Sequence, residues 1–175
     1  MGFLSRQSTR GLRFAVRQAL FLGLLSLLVS PGLAERGAGS PFAALPGAWT
    51  GTGTIAMSNG TKERIRCRAA YRLEGGSANL RLELSCTSDS YKFELRSQIT
   101  YDGGAISGNW DEATRGVGGN ITGTATGSQI RARAEGQTFT AILAMDTRGT
   151  KQSVSIQSPG SEMSSVTIEL ARGSR

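Results

Sequence analysis

The segment over residues 65–86, IRCRAAYRLEGGSANLRLELSC, decides the fold. A turn over residues 75–78 joins two predicted strands, and the antiparallel register places Cys67 opposite Cys86. All the large apolar side chains then fall on one face, because alternate residues of a strand point to the same side. The predicted pairs are Leu73–Leu80, Tyr71–Leu82, Ala69–Leu84 and Cys67–Cys86. The hairpin predicts a β-protein with a disulfide between Cys67 and Cys86.

The same alternation continues on both sides of this hairpin, with turn signals about every 8–12 residues. Turns are predicted at Asn59-Gly60, Asp102-Gly103 and Gly127-Ser128. The predicted cross-strand pairs include Ile55–Ile65, Phe93–Leu84, Ile106–Ile99 and Ala125–Ile130. The pattern predicts an all-β fold, an antiparallel up-and-down meander of about 8–10 strands. Closure into a barrel removes the sheet edges and is the favoured form, with a β-sandwich as the alternative.

The N-terminus has the pattern of a cleavable signal peptide over residues 1–34. Four arginines precede an apolar run of 11 residues, 19–29, and Gly32 and Ala34 form a small-x-small exit. The run is shorter than the roughly 20 residues that a membrane-spanning helix needs. We expect cleavage after Ala34, a flexible segment over 35–46 and a single barrel domain over 47–172. This predicts a periplasmic or secreted protein that does not span a membrane after cleavage.

Composition argues against several functions. The 20 Lys and Arg exceed the 13 Asp and Glu by seven, but four of the cations precede Ala34. The remaining chain carries 16 − 13 = +3, which does not favour nucleic-acid binding. The sequence has no histidine, so Ser-His-Asp catalysis and most zinc sites are excluded. We therefore expect no enzymatic activity, no metal and no cofactor.

Basic residues occupy alternate positions of the predicted strand over 62–72, and these positions have the outward parity. Arg81 on the next strand lies opposite one of them, Arg72. Such a row could bind an anionic partner, either an envelope protein or an envelope polymer. The alternative is a solvated strand face, neutralised by Glu63, Glu83 and Glu94. The candidate residues are Lys62, Arg64, Arg66, Arg68, Arg72 and Arg81.

Five aromatic side chains share the inward parity and are the candidates for a ligand cavity. They are Trp49, Tyr71, Phe93, Trp110 and Phe139. The alternative is ordinary core packing. Small inward residues accompany them, and these either leave a cavity or let the sheet bend sharply. The small residues are Gly51, Gly53, Ala69, Gly108, Gly123, Ala132, Ala134 and Ala141.

The segment Gly47-Ala48-Trp49, which opens the first predicted strand, resembles the Gly-x-Trp opening of lipocalin-type (calycin) barrels. In that family the tryptophan plugs the closed end of the barrel. An arginine from a late strand often supports it, and Arg172 stands at the matching place near the end of the last predicted strand. The resemblance implies ligand carriage or inhibition of a partner, and it implies no catalysis.

Two functions from different classes remain. The first is an exported binding protein that carries a small apolar or amphipathic ligand inside a lipocalin-like barrel. The second is a protein-interaction or enzyme-inhibitor module that acts through its loops and the cationic strand face. A third reading, a membrane-spanning barrel, is disfavoured because such barrels need an apolar outward face, and the outward rows here are charged or hydroxylated.

Overall fold

The computed structural model describes residues 39–173. The predicted signal peptide, residues 1–34, lies outside the described residues. A 3₁₀ turn at Pro41–Ala44 is followed by ten strands. Among the described residues, no helix is long and apolar enough to cross a membrane. The strands are β1 Gly47–Met57, β2 Lys62–Leu73, β3 Asn79–Thr87, β4 Lys92–Asp102, β5 Ala105–Glu112, β6 Val117–Thr126, β7 Gln129–Gly136, β8 Thr140–Arg148, β9 Lys151–Gln157 and β10 Met163–Arg172.

The ten strands form one closed antiparallel barrel in meander order. Each strand pairs with the next along the chain, and β10 returns to pair with β1, from Trp49–Arg172 to Met57–Met163. The predicted all-β barrel is confirmed, and the β-sandwich alternative is wrong. Closure satisfies the backbone groups that an open sheet would leave at its two edges.

The central hairpin has the predicted register. Leu73 lies opposite Leu80, and the pairing runs through to Cys67 opposite Cys86. The two cysteines form a disulfide with their Cα atoms 4.1 Å apart. Their side chains are buried in the barrel interior. The hairpin therefore supplies both the apolar face of β2 and β3 and the covalent link between them.

Three neighbouring hairpins differ from the prediction by a shift of two residues. Ile55 lies opposite Glu63 rather than Ile65, and Leu84 lies opposite Leu95 rather than Phe93. Ile99 lies opposite Gly108 rather than Ile106, because the β4–β5 turn centres on Gly103 and Gly104, one residue later than predicted. Both glycines have positive φ, 55° and 101°, which a two-residue hairpin turn favours and glycine adopts without steric cost. The predicted β6–β7 register, with Ala125 opposite Ile130, is confirmed.

Alternate turns of an antiparallel meander lie at the same end of the barrel. One end, here called the closed end, carries the turns 74–78, 103–104, 127–128 and 149–150 and the 3₁₀ turn. The other end, here called the open end, carries the loops 58–61, 88–91, 113–116, 137–139 and 158–162.

Seven of the eight small inward residues fall into two groups. At Gly51, Gly53, Gly108 and Gly123 an added Cβ atom would come within about 2 Å of a backbone oxygen of the adjacent strand: 1.8, 2.1, 1.9 and 2.1 Å. These glycines permit close backbone approach where the strands coil, and they leave no free space. Ala132, Ala134 and Ala141, by contrast, face open volume inside the barrel.

Candidate functional site

The barrel encloses a cavity of about 390 Å³. Its wall is formed mainly by apolar side chains from strands all round the barrel. The lining continues to the open end, where Tyr91, Arg115 and Glu162 come from three different loops. Val117 lines the cavity and is also 39% exposed, so the cavity reaches the surface at this end.

Four of the five predicted aromatic residues line this cavity: Tyr71, Phe93, Trp110 and Phe139. Trp110 and Phe139 contact each other with ring centroids 5.6 Å apart. The indole N–H of Trp110 donates to the Asn120 carbonyl at 3.2 Å, which leaves the ring face for apolar contact. The inward parity of these residues in the sequence was sufficient to place them together.

Trp49 lies outside the cavity lining and closes the barrel below it. The ring is fully buried, and its N–H donates to the Leu45 carbonyl at 2.8 Å. The Arg172 guanidinium covers the ring at 4.6 Å from its centroid and donates to the Ala44 carbonyl. Tyr71 packs edge-on against Trp49 on the cavity side, 6.3 Å away. The predicted closed-end tryptophan and its late-strand arginine are thus in contact.

A buried polar chain crosses the barrel near the closed end. The Tyr71 hydroxyl donates to Gln152 Oε1 at 2.7 Å, and Gln152 Nε2 donates to Thr147 Oγ1 at 3.0 Å. Burial raises the pKa of the Tyr71 phenol, so the group is neutral at physiological pH. Because each polar group has a partner, this chain presents little free hydrogen-bonding capacity to a ligand.

At the open end, Glu112 holds the loop 113–116. Its carboxylate accepts the backbone N–H groups of Glu94 at 2.9 Å, Thr114 at 3.1 Å and Arg115 at 2.9 Å. It also accepts the Thr114 hydroxyl. Burial alone would raise the pKa of Glu112, but these hydrogen bonds outweigh it and lower the pKa.

This anchored loop places Arg115 at the cavity mouth. The Arg115 guanidinium lies 4.6 Å from the centroid of the Phe93 ring. Its Nη1 atom is 3.5 Å from Glu112 Oε2. Tyr91 stacks on the same Phe93 ring, with the two ring centroids 6.5 Å apart. A bound molecule would therefore meet apolar walls inside and charged groups only at the mouth.

Sequence reasoning did not predict the roles of Glu112, Arg115, Gln152 and Thr147. Parity could have indicated three of them. Glu112 has the same parity as the inward Trp110, Gln152 has the same parity as the inward Val154, and Thr147 has the same parity as the inward Met145. The loop position of Arg115 left no periodic signal to follow. Among residues 39–173, no group of three His, Cys, Asp or Glu side chains could hold a metal ion.

The predicted cationic row lies on the outer surface of β2. All five of its β2 residues are exposed: Lys62, Arg64, Arg66, Arg68 and Arg72. Arg72 lies opposite Arg81, as predicted. Two ion pairs relieve this like-charge contact, Arg72–Glu83 at 3.5 Å and Arg81–Glu74 at 2.5 Å.

Fold and cavity together define a class: a ten-stranded antiparallel barrel with a largely apolar interior that is open at one end. No protein-family model matches the sequence, and no curated protein matches it by sequence.

Solved structures do show a likeness. The chain is similar to the crystal structure of Rv2717c from M. tuberculosis, with a TM-score of 0.63 and 14% identity over 79% of this chain and 98% of that one. It is also similar to the S-type phycobiliprotein lyase CPES from Guillardia theta, with a TM-score of 0.57 and 8% identity over 77% and 91% of the two chains. At these identities the likeness shows the barrel fold.

Proposed function

We propose that this protein is a non-enzymatic binding protein that carries one small apolar or amphipathic molecule inside its barrel. The observation that carries the proposal is the cavity of about 390 Å³ with its largely apolar wall. Ligand pockets usually have about 300–1,000 Å³ and an apolar lining with few polar groups.

Ordinary core packing is the competing explanation, and the cavity volume argues against it. Protein interiors are close-packed and contain few voids larger than a water molecule, which takes up about 30 Å³ in the liquid. The aromatic rings line the space without filling it. In one part of the wall, two small residues, Ala134 and Ala141, lie side by side on neighbouring strands.

The distribution of polar groups supports an amphipathic ligand as well as an apolar one. The hydroxyl of Ser97 in the wall donates to the Asn109 carbonyl at 2.8 Å, and that of Ser158 donates to the Thr140 carbonyl at 3.0 Å. Charged groups are placed at the open end, where Arg115 and Glu162 contribute to the lining. The apolar part of a ligand would lie inside, with its polar part toward this end.

Export belongs to the proposal. The predicted signal peptide over residues 1–34 and the Cys67–Cys86 disulfide both favour a periplasmic or secreted protein. A phycobiliprotein lyase with the same barrel fold is consistent with a ligand-binding use of this architecture. The lipocalin-like resemblance at Gly47-Ala48-Trp49 favours the same use.

Native and then denaturing mass spectrometry of protein purified from an oxidising compartment tests the proposal. A mass present only in the native spectrum, and released on unfolding, would identify a carried ligand. The denaturing spectrum also tests cleavage after Ala34. A bare protein that takes up no neutral apolar probe would favour the alternative, an interaction or inhibitor module.

A further inference from the structure

The outer face of β2 carries four cations without a nearby acid, here called the cationic strip: Lys62, Arg64, Arg66 and Arg68. None of them lies within 4 Å of a carboxylate oxygen among residues 39–173, although six other cations of this region do. Alternate residues of a strand are about 7 Å apart, so the strip is about 20 Å long.

Three acids near the strip, Glu63, Glu83 and Glu94, contact other groups. Glu63 accepts the backbone N–H of Ser90 at 2.8 Å. Glu83 pairs with Arg72 at 3.5 Å, and Glu94 pairs with Lys92 at 2.7 Å. None of these three acids forms an ion pair with the strip, so its four cations are not paired with them.

Hydroxyl side chains border the strip on both sides. On β1, Thr50, Thr52 and Thr54 lie opposite Arg68, Arg66 and Arg64. On β3, Ser85 lies opposite Arg68 and Thr87 lies opposite Arg66. All five hydroxyl residues are exposed. The strip is a positive row one strand wide, and hydrogen-bonding groups lie along both of its margins. This arrangement suits a linear polymer that has both acidic groups and hydroxyls.

We infer that the cationic strip binds an acidic polysaccharide. Three of its four cations are arginines, whose planar guanidinium binds carboxylates with two parallel hydrogen bonds. The bordering threonines and serines suit sugar hydroxyls. Single-stranded nucleic acid is disfavoured because the outward positions of β1, β2 and β3 carry no aromatic side chain for base stacking. A lipid bilayer is disfavoured because those positions offer no large apolar side chain.

The test measures binding of the purified protein to polygalacturonate at low salt. Fully methyl-esterified polygalacturonate, which keeps the sugar chain and loses the charge, is the matched control polymer. The variant R64S/R66S/R68S removes three charges from the strip. The control variant R131S/R133S/R148S removes three charges from β7 and β8, away from β2 in the barrel order.

We expect the wild-type protein and the control variant to bind polygalacturonate with similar affinity. The strip variant should bind at least about tenfold more weakly, since several charge-assisted contacts are lost together. Binding should weaken as salt rises. Circular dichroism verifies the fold, and single Arg→Ser variants replace the triple variant if it does not fold.

Four results would overturn the inference. They are absence of binding to polygalacturonate, equal binding to the esterified polymer, an equal loss in the control variant, and stronger binding to phosphatidylglycerol vesicles or duplex DNA than to polygalacturonate. None of these results concerns the interior cavity, so they do not test the proposed carrier function.

Discussion

A single buried carboxylate holds one loop at the open end of the barrel. Glu112 is 5% exposed, yet its hydrogen bonds favour the charged form strongly enough to lower its pKa. Two of its donors, the backbone N–H groups of Thr114 and Arg115, belong to the loop that follows it. The third backbone donor, Glu94, belongs to the neighbouring strand β4. Glu112 therefore links that strand to the loop at the cavity mouth.

We predict that Glu112→Gln lowers the free energy of unfolding at pH 7 by about 1–3 kcal/mol. The amide replaces one acceptor oxygen by a donor and so leaves N–H groups of the loop without a partner. Urea unfolding followed by circular dichroism measures the change. Asp111→Asn, at the adjacent exposed position, is the control and should change the free energy by less than about 0.5 kcal/mol.

The same substitution has a pH signature. The pKa of Glu112 in the folded protein is lowered from its ordinary value of 4.5, so its contribution is fully present above that value. The contribution is lost as the pH falls through the lowered folded pKa. The difference in unfolding free energy between wild type and Glu112→Gln should therefore shrink below about pH 4. A difference that is constant from pH 7 to pH 3 would contradict the role of the charged carboxylate.

Among the structural elements, the β2–β3 hairpin explains why the fold could be predicted from the sequence. Its large apolar residues alternate without interruption, and the two cysteines mark one pair directly. The neighbouring hairpins lack such a marker. A shift of two residues keeps every side chain on its face, so alternation alone could not distinguish Ile55–Ile65 from Ile55–Glu63. Only the turn residues could fix the register. In the β4–β5 hairpin both Asp102-Gly103 and Gly103-Gly104 are suitable for a two-residue turn, and the chain turns at Gly103-Gly104.

We predict that the double variant Cys67→Ser, Cys86→Ser melts about 10 °C lower than the wild type. The disulfide closes a loop between residues 19 positions apart, and this constraint on the unfolded chain is worth about 3 kcal/mol in the chain-entropy model. Melting with and without reductant checks the expectation. Identical curves for the oxidised and reduced wild type would contradict it.

We predict that Gly108→Ala destabilises the barrel by about 2 kcal/mol or more. Its Cβ would lie 1.9 Å from the Gln98 carbonyl oxygen, so β4 and β5 would have to separate. Ser107→Ala, at the adjacent exposed position of β5, introduces the same side chain and should change stability little. Chemical denaturation compares the two, and equal stabilities would show that the strands can relax around the methyl group.

At the scale of the whole molecule, inward parity placed four aromatic residues around one cavity, but it did not reveal the cavity itself. Alternation reports which face a residue occupies and not how much space the opposite walls leave. The glycines and alanines were indistinguishable in the sequence. Closure makes the glycines sites of tight backbone contact and leaves the alanines facing free volume. Arg115 at the cavity mouth depends on a loop that no periodic pattern describes.

Filling the cavity tests whether it holds a ligand. Ala134 lines the cavity beside Ala141 of the neighbouring strand. Ala134→Phe therefore adds a ring to the space that a ligand would occupy. Ala144 lies on the outward face of β8, opposite the exposed Arg131. Ala144→Phe is therefore a control that adds the same ring outside the barrel.

The measurement is a fluorescence titration with the neutral probe N-phenyl-1-naphthylamine. We predict saturable binding of one probe per wild-type barrel, similar binding by Ala144→Phe, and at least about tenfold weaker binding by a folded Ala134→Phe protein, as expected when about 1.4 kcal/mol of binding free energy is lost. Absence of saturable binding to the wild type, or unchanged binding by folded Ala134→Phe, would contradict ligand binding inside the cavity.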